Sequence, residues 1–221
     1  MNKQALIIGL GQFGLSVAKS LSEKGVEVIA IDPKKSLVDD ASLFVEEAIV
    51  MDATDEEELA RLRPGKRDFA LCAIGDDSKE ASIITTALLR QMGNPYIVSR
   101  ASDAIHRRIL KLVGAHLVVN PELEYGNKFA NKLLFRNIIV DHPLNSDLQL
   151  TEIEIQPSMI GKTLIDLELP RRYGVIVAGV RKKNAQTIIQ PSPSLPLTVD
   201  DNMIIVSSEK SLAALMKGFE K

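Results

Sequence analysis

Three glycines and one acid carry the clearest chemistry in the chain. Gly9, Gly11 and Gly14 follow the apolar run Ala5 to Ile8 at the spacing G-x-G-x-x-G, and Asp32 follows the apolar run Val26 to Ile31. In such a pattern the first glycine permits a tight turn and the second lets a phosphate approach the backbone. The third lets a helix lie close against the strand. A helix from Gln12 onward then points its unpaired N-terminal amides at an anion. Asp32 stands about 20 residues past the glycines, where a carboxylate accepts ribose hydroxyls. The expected ligand is therefore an adenine nucleotide. An acid at position 32 disfavours a 2'-phosphate, and hence NADP, while NAD, ATP and ADP stay open. A plainer account gives the glycines a packing role only and leaves Asp32 as a solvated strand end.

These residues need a scaffold, and the hydrophobic pattern supplies it. Apolar runs at 5–8, 26–31, 48–51, 69–74, 96–98 and 117–119 read as strands covered on both faces. Helices are expected between them, over 33–44, after the MDATDEEEL phrase, over 79–92 and over 103–113, with a further helix from Pro121 to about Leu134. Six strands separated by helices predict an α/β, doubly wound parallel sheet of Rossmann type. Ligand belongs at its carboxyl ends, which collects Gly9 to Gly14, Asp32, Asp52 with Ala53, the turn Ile74, Gly75, Asp76 and Asp77, Arg100, and the corner Asn120 to Glu122. Asp52 has a competing reading as a simple cap. Glu122 is explained as a first-turn acid favoured by the helix dipole, or as the ligand of a divalent cation beside phosphates.

Around Asn137 to Asp147 the βα rhythm stops at Pro143 and the polar residues after it. Strands are then expected at 151–155, 175–180, 188–189 and 203–206, with helices at 164–169 and 211–219. The division falls into 1–136, a nucleotide-binding domain with a crossover helix, and 137–221, a small α+β domain whose limited core calls for a partner.

Composition excludes several classes. The 221 residues are 45% hydrophobic and 25% charged with a formal charge of −2, so no basic field for nucleic acid exists. The single cysteine, Cys72, lies in an apolar run and forms no internal disulfide, which suits a cytoplasmic setting. No window approaches the roughly 18 apolar residues of a membrane span, and the chain enters its first strand with no signal-peptide pattern, so a soluble protein is expected. The three histidines, His106, His116 and His142, stand in no constellation. No Walker loop, zinc motif, cysteine pair or serine elbow is present. A nucleotide sensor fits better than a dehydrogenase, and no catalytic residue is assigned.

Beyond these residue-level signals, the chain resembles the cytoplasmic regulatory subunits of bacterial Ktr and Trk potassium uptake systems, with an RCK (TrkA-N) domain followed by a TrkA-C domain. The likeness rests on IGLGQFG at 8–14, Asp32, DAT at 52–54, AIGDD at 73–77, IVSRASD at 97–103, KLVGAHLVVNPE at 111–122, MIGKTLIDLELPRRYGVIVAGVR at 159–181 and DNMIIV at 201–206. It implies a homodimer assembling into an octameric ring beneath a membrane potassium-translocating subunit, at the inner face of the cell membrane. In such a ring, bound ATP or ADP, or NAD or NADH in the Trk branch, changes the ring's shape. By the same resemblance Gly9, Gly11 and Gly14 lie under the phosphates, Gln12 and Phe13 are among the cofactor-binding residues, and Asp32 lies on the ribose. Asp52 and Ala53 lie beside adenine, Ile74, Gly75 and Asp76 in the turn, and Arg100 near ribose or phosphates. Glu122 sits at a Mg or Ca ion between neighbouring nucleotides. Many family members carry arginine where this chain has Gln12, which removes a charge from the terminal phosphate and gives NAD(H) weight. Some members bind cyclic di-AMP between TrkA-C domains.

Overall fold

The structure is a computed structural model that describes residues 3–75, 78–134, 138–144, 147–182 and 187–219. The chain divides into two compact units, Met1–Glu124 and Tyr125–Lys221. The first contains strands β1 Gln4–Ile8, β2 Glu27–Asp32, β3 Glu47–Val50, β4 Phe69–Cys72, β5 Ile97–Arg100 and β6 Leu117–Val119. Between them run helices α1 Gln12–Glu23, α2 Lys35–Ala41, α3 Glu56–Arg61, α4 Lys79–Gln91 and α5 Ala104–Val113; helix α6, Pro121–Leu134, begins in this unit. The strands pair in parallel in the order β3-β2-β1-β4-β5-β6.

The apolar runs are explained by this layering. Leu6, Ile8, Ile29 and Ile31 face one core, while Ala5, Ile7, Val28 and Ala30 face the other. Alternate side chains of a strand point to opposite faces, so a sheet covered on both sides demands apolar residues throughout. Successive strands are added outward in opposite directions from β1 and β4, and this switch in strand order is where the topology leaves a crevice.

Several boundaries differ from expectation. β5 includes Arg100, because Ser99 pairs with Cys72 and Arg100 with Val119. β4 stops at Cys72, so Ala73 to Gly75 belong to the loop. α2 covers only Lys35–Ala41, since Pro33 and Lys34 form an extended entry in which the Lys34 amide donates to Asp32 Oδ1 at 2.8 Å.

The second unit holds β7 Ile138–Pro143, β8 Gln149–Glu154, β9 Ile176–Lys182, β10 Ile188–Ile189 and β11 Asp201–Ser207, with helices α7 Leu164–Leu167, α8 Leu169–Tyr173 and α9 Glu209–Phe219. Its sheet is antiparallel, in the order β10-β9-β11-β8-β7. Ile153, Met203 and Ile205 from the sheet and Leu212, Leu215, Met216 and Phe219 from α9 share one core with Met159, Leu167 and Leu169. The stretch expected to interrupt the chain contains strand β7. Proline is compatible with it because β7 lies at the sheet edge, where a missing amide breaks no ladder. The helix expected over 164–169 is two short helices, divided at Glu168 with φ 45°. Thr163 and Asp166 close a reciprocal capping box on the first. No helix among the described residues is long and apolar enough to cross a membrane.

Candidate functional site

At the carboxyl ends of β1, β2 and β4 lies a cleft of about 340 Å³, lined by Gly9, Gly11, Asp32, Lys34, Asp52, Ala53, Ile74, Gly75, Ser78 and Arg100 among others. The three glycines act differently. Gly9 has φ +90°, and a Cβ there would meet the Ile74 nitrogen at 2.9 Å, so the turn needs glycine twice over. Gly14 packs α1 onto the turn so closely that a Cβ would stand 1.9 Å from the Gly9 carbonyl oxygen. At Gly11 a Cβ would meet no atom within 4 Å. Its bare face lies on the cleft and is therefore free for a ligand. Gly11 is also the N-cap of α1, with no side-chain cap bond and no acid in the first turn. The positive end of the helix thus has no acid within its own first turn.

Asp32 is the last residue of β2 and is buried. Its Oδ2 accepts the Leu10 amide at 2.7 Å and its Oδ1 the Lys34 amide at 2.8 Å. The carboxylate therefore fastens the glycine turn to the strand end. A carboxylate offers about four acceptor positions, so two backbone donors leave capacity for two ribose hydroxyls. Asp52 Oδ1 accepts both the Thr54 amide at 2.9 Å and the Thr54 hydroxyl at 2.8 Å. Those bonds, the amide first, hold its carboxyl below the usual carboxylate range. The cap of α3 is Asp55, which accepts the Glu58 amide at 3.0 Å. Asp52 is consequently a turn-closing acid on the cleft wall rather than the helix cap.

Arg100 enters from β5. Its side chain is 18% exposed, and Nη2 donates to Glu122 Oε1 at 2.6 Å. Its Nε is buried and has no partner among the described residues. A buried guanidinium N–H without an acceptor costs free energy, and an incoming anion removes that cost. Glu122, on the first turn of α6, offers one carboxylate already engaged by Arg100. Among the described residues no group of three or more His, Cys, Asp or Glu could hold a metal ion. A divalent cation at Glu122 would need oxygens from nucleotide phosphates and from a second copy to complete its ligands.

Of the residues expected at the ligand, Gly9, Gly11, Asp32, Asp52, Ala53, Ile74, Gly75 and Arg100 line one cleft. Gln12 is exposed on α1, Phe13 is half-buried against the edge of the core, and Gly14 underpins the turn; none of the three is on the lining. Asp76 lies outside the described residues. Sequence reasoning missed Lys34 and Ser78, which line the cleft just after Asp32 and at the start of α4. Lys34 was legible from its place beside a strand-end acid. None of the three histidines lines the cleft. His106 is buried in α5, and His116 Nδ1 accepts the Ile97 amide at 2.9 Å, a structural bond.

A doubly wound parallel sheet, a glycine turn at the switch point, a strand-end acid and an anion-ready arginine define the class of a nucleotide-binding α/β domain, joined here to a smaller antiparallel domain. Residues 5–121 match the TrkA-N domain and residues 150–219 the TrkA-C domain. Over 216 residues the chain is 37% identical to the Ktr system potassium uptake protein A of Vibrio alginolyticus, covering 98% of this chain and 97% of that protein. It is 31% identical over 217 residues to the Ktr system potassium uptake protein C of Bacillus subtilis, with coverage of 98% and 97%. Among solved structures, the GsuK channel bound to NAD superposes with a TM-score of 0.67 at 17% identity, over 100% of this chain and 40% of that chain. The chain belongs to the Ktr/TrkA family of potassium-uptake regulatory proteins.

Proposed function

We propose that the chain is the nucleotide-sensing regulatory subunit of a bacterial potassium uptake system. The observation that carries this is the cleft, in which Gly11, Asp32 and Arg100 offer a bare backbone, ribose acceptors and a guanidinium N–H with no partner among the described residues, on a chain that matches Ktr relatives over nearly its whole length. Among the described residues, the titratable groups on the cleft lining are Asp32, Lys34, Asp52 and Arg100. Both acids are tied to backbone amides, which favours a sensor over an oxidoreductase or other enzyme. In this reading residues 1–136 sense ATP or ADP, with NAD or NADH as alternatives, and residues 137–221 form the second regulatory domain. Ion selectivity resides in a separate membrane subunit, to which the chain docks from the cytoplasm.

Homodimerisation and assembly into an octameric ring belong to the proposal. The exposed Tyr125, Phe129 and Leu133, at i, i+4 and i+8 on one face of α6, support it, since an uncovered apolar stripe calls for a partner. Tyr125 and Phe129 stack there at 6.0 Å. Mg or Ca at Glu122, completed by phosphates and the second copy, and cyclic di-AMP at the second domain are its finer arms. A nucleotide moves the ring only if it binds one shape better than another.

The test is calorimetric titration with ATP, ADP, NAD, NADH and cyclic di-AMP, with and without Mg or Ca. Potassium flux is then measured in vesicles carrying the membrane subunit. Binding of an adenine nucleotide that changes flux supports the reading. Absence of binding by every nucleotide, or sustained NADH formation from NAD with an alcohol or hydroxy acid, overturns it.

A further inference from the structure

One ion pair ties the cleft to the helix that leaves the first unit. Arg100 lines the cleft, yet its Nη2 is held by Glu122, whose side chain is 61% exposed on the first turn of α6. A first-turn glutamate ordinarily serves its own helix. Here that work is done by others: Asn120 Oδ1 accepts the Leu123 amide at 2.9 Å, and Glu124 Oε1 accepts the Asn120 amide at 3.4 Å. The Glu122 carboxylate turns to Arg100 instead. A guanidinium presents its donors in a rigid planar fork, so one edge serves a carboxylate or a phosphate but not both. Two anions on that edge also repel each other. Nε has no partner among the described residues, so the fork has donor capacity beside the edge that Glu122 takes.

We propose that Glu122 is an internal competitor for the ligand phosphate: its carboxylate holds the edge of Arg100 that a bound phosphate requires, and occupancy of the cleft exchanges one for the other. This rests on the nucleotide-sensing reading of the cleft. It makes Glu122 a positioning residue acting through Arg100, and it lowers affinity by the strength of the pair. It also gives ligand binding a direct effect on α6, because the exchange releases the first turn of a helix that runs on to Leu134, past the end of the first unit at Glu124.

A double-mutant cycle separates this competition from simple repulsion between Glu122 and phosphates. ADP affinity is measured by calorimetry in excess EDTA for wild type, Glu122→Gln, Arg100→Gln and the double variant, with folding checked by circular dichroism. Glu122→Gln should bind ADP about three- to fivefold more tightly, the scale of a partly exposed ion pair. In the Arg100→Gln background the same change should alter affinity by less than about 1.5-fold, because there is no guanidinium to free. Arg100→Lys, which keeps the charge and loses the fork, gives a second background if Arg100→Gln fails to fold, and the gain there should be smaller than in wild type. Glu122→Asp should restore part of the competition. An equal gain in every background shows direct repulsion and overturns the exchange while leaving the nucleotide site intact. No ADP binding to wild type under any condition removes both the exchange and the site.

Discussion

Replacing glycine by alanine at positions 11 and 14 should separate ligand binding from folding within one turn of chain. Gly11 has φ −62° and ψ −178°, a conformation open to alanine, and its Cβ would touch nothing within 4 Å. Alanine is a poorer N-cap than glycine by roughly 0.5 to 1 kcal/mol. Against this, alanine restricts the unfolded chain and contributes about 0.4 to 1 kcal/mol of stability. The two effects offset, so Gly11→Ala should unfold within about 0.5 kcal/mol of wild type. Its methyl group would occupy the face that a phosphate must approach, and ADP binding should weaken by about ten- to hundredfold, or about 1.4 to 2.7 kcal/mol. Gly14→Ala should do the reverse. Its Cβ would stand 1.9 Å from the Gly9 carbonyl oxygen, a backbone atom that cannot turn aside. Alanine gains about 1 kcal/mol in a helix, but moving α1 off the turn should cost about 3 kcal/mol, a net loss of about 2. Urea denaturation and calorimetric titration with ADP measure both effects. A folded Gly11→Ala protein that binds ADP as wild type does would refute the assignment of that face to a phosphate.

Asp32→Ala should weaken ATP and NAD alike by about ten- to hundredfold, and should also destabilise the fold by about 1.5 to 3 kcal/mol, because the Leu10 amide loses its buried acceptor. Unchanged affinity for both ligands in the folded variant would remove Asp32 from the ribose. Glu122→Gln should abolish the enhancement of ATP binding by millimolar Mg or Ca, read by titration in EDTA and then in the cation; an undiminished enhancement would return Glu122 to its bond with Arg100 alone. At acid pH, Asp103 should contribute to unfolding. The Lys79 ammonium, 2.7 Å away, and the His106 amide hold its carboxyl at about 2, below the ordinary 3.8. A lowered folded pKa means the unfolded chain binds the proton more readily, so this stability is present above about pH 4 and lost as pH falls towards 2. Denaturation midpoints between pH 5 and 2 should therefore fall less steeply in Asp103→Asn, and an identical slope would count against the pair.

The nucleotide fold was legible because each of its signals has one dominant physical cause. Continuous apolar runs require a sheet covered on both faces, and the glycine spacing fits a single turn geometry. Gly9 and Gly14 proved to be constrained by backbone contacts at the distances a turn and a close helix demand. Asp32 was legible as a strand-end acid, but its bonds to the Leu10 and Lys34 amides were not, since they depend on how a loop folds back in space. The pairing of Arg100 with Glu122 was equally hidden, although both residues were placed at the same end of the sheet. β7 was missed because its proline was read as a breaker, a rule that lapses at a sheet edge. The split at Glu168 was missed because a left-handed glutamate has no sequence signature.

The order of strands in the second sheet has a consequence for how the protein is made. β11 lies between β9 and β8, although the chain passes through it only after the other four strands have been synthesised. Until Asp201 to Ser207 have left the ribosome, β9 and β8 have no common neighbour, and the core lacks Leu212, Leu215, Met216 and Phe219. The parallel sheet is complete by Val119 and can fold while synthesis continues, as earlier domains generally do. During that interval the strands of the second unit expose paired-edge amides and apolar faces with nothing to cover them. A stop codon a few residues before β11 would therefore yield a chain with a finished nucleotide fold carrying an aggregation-prone tail.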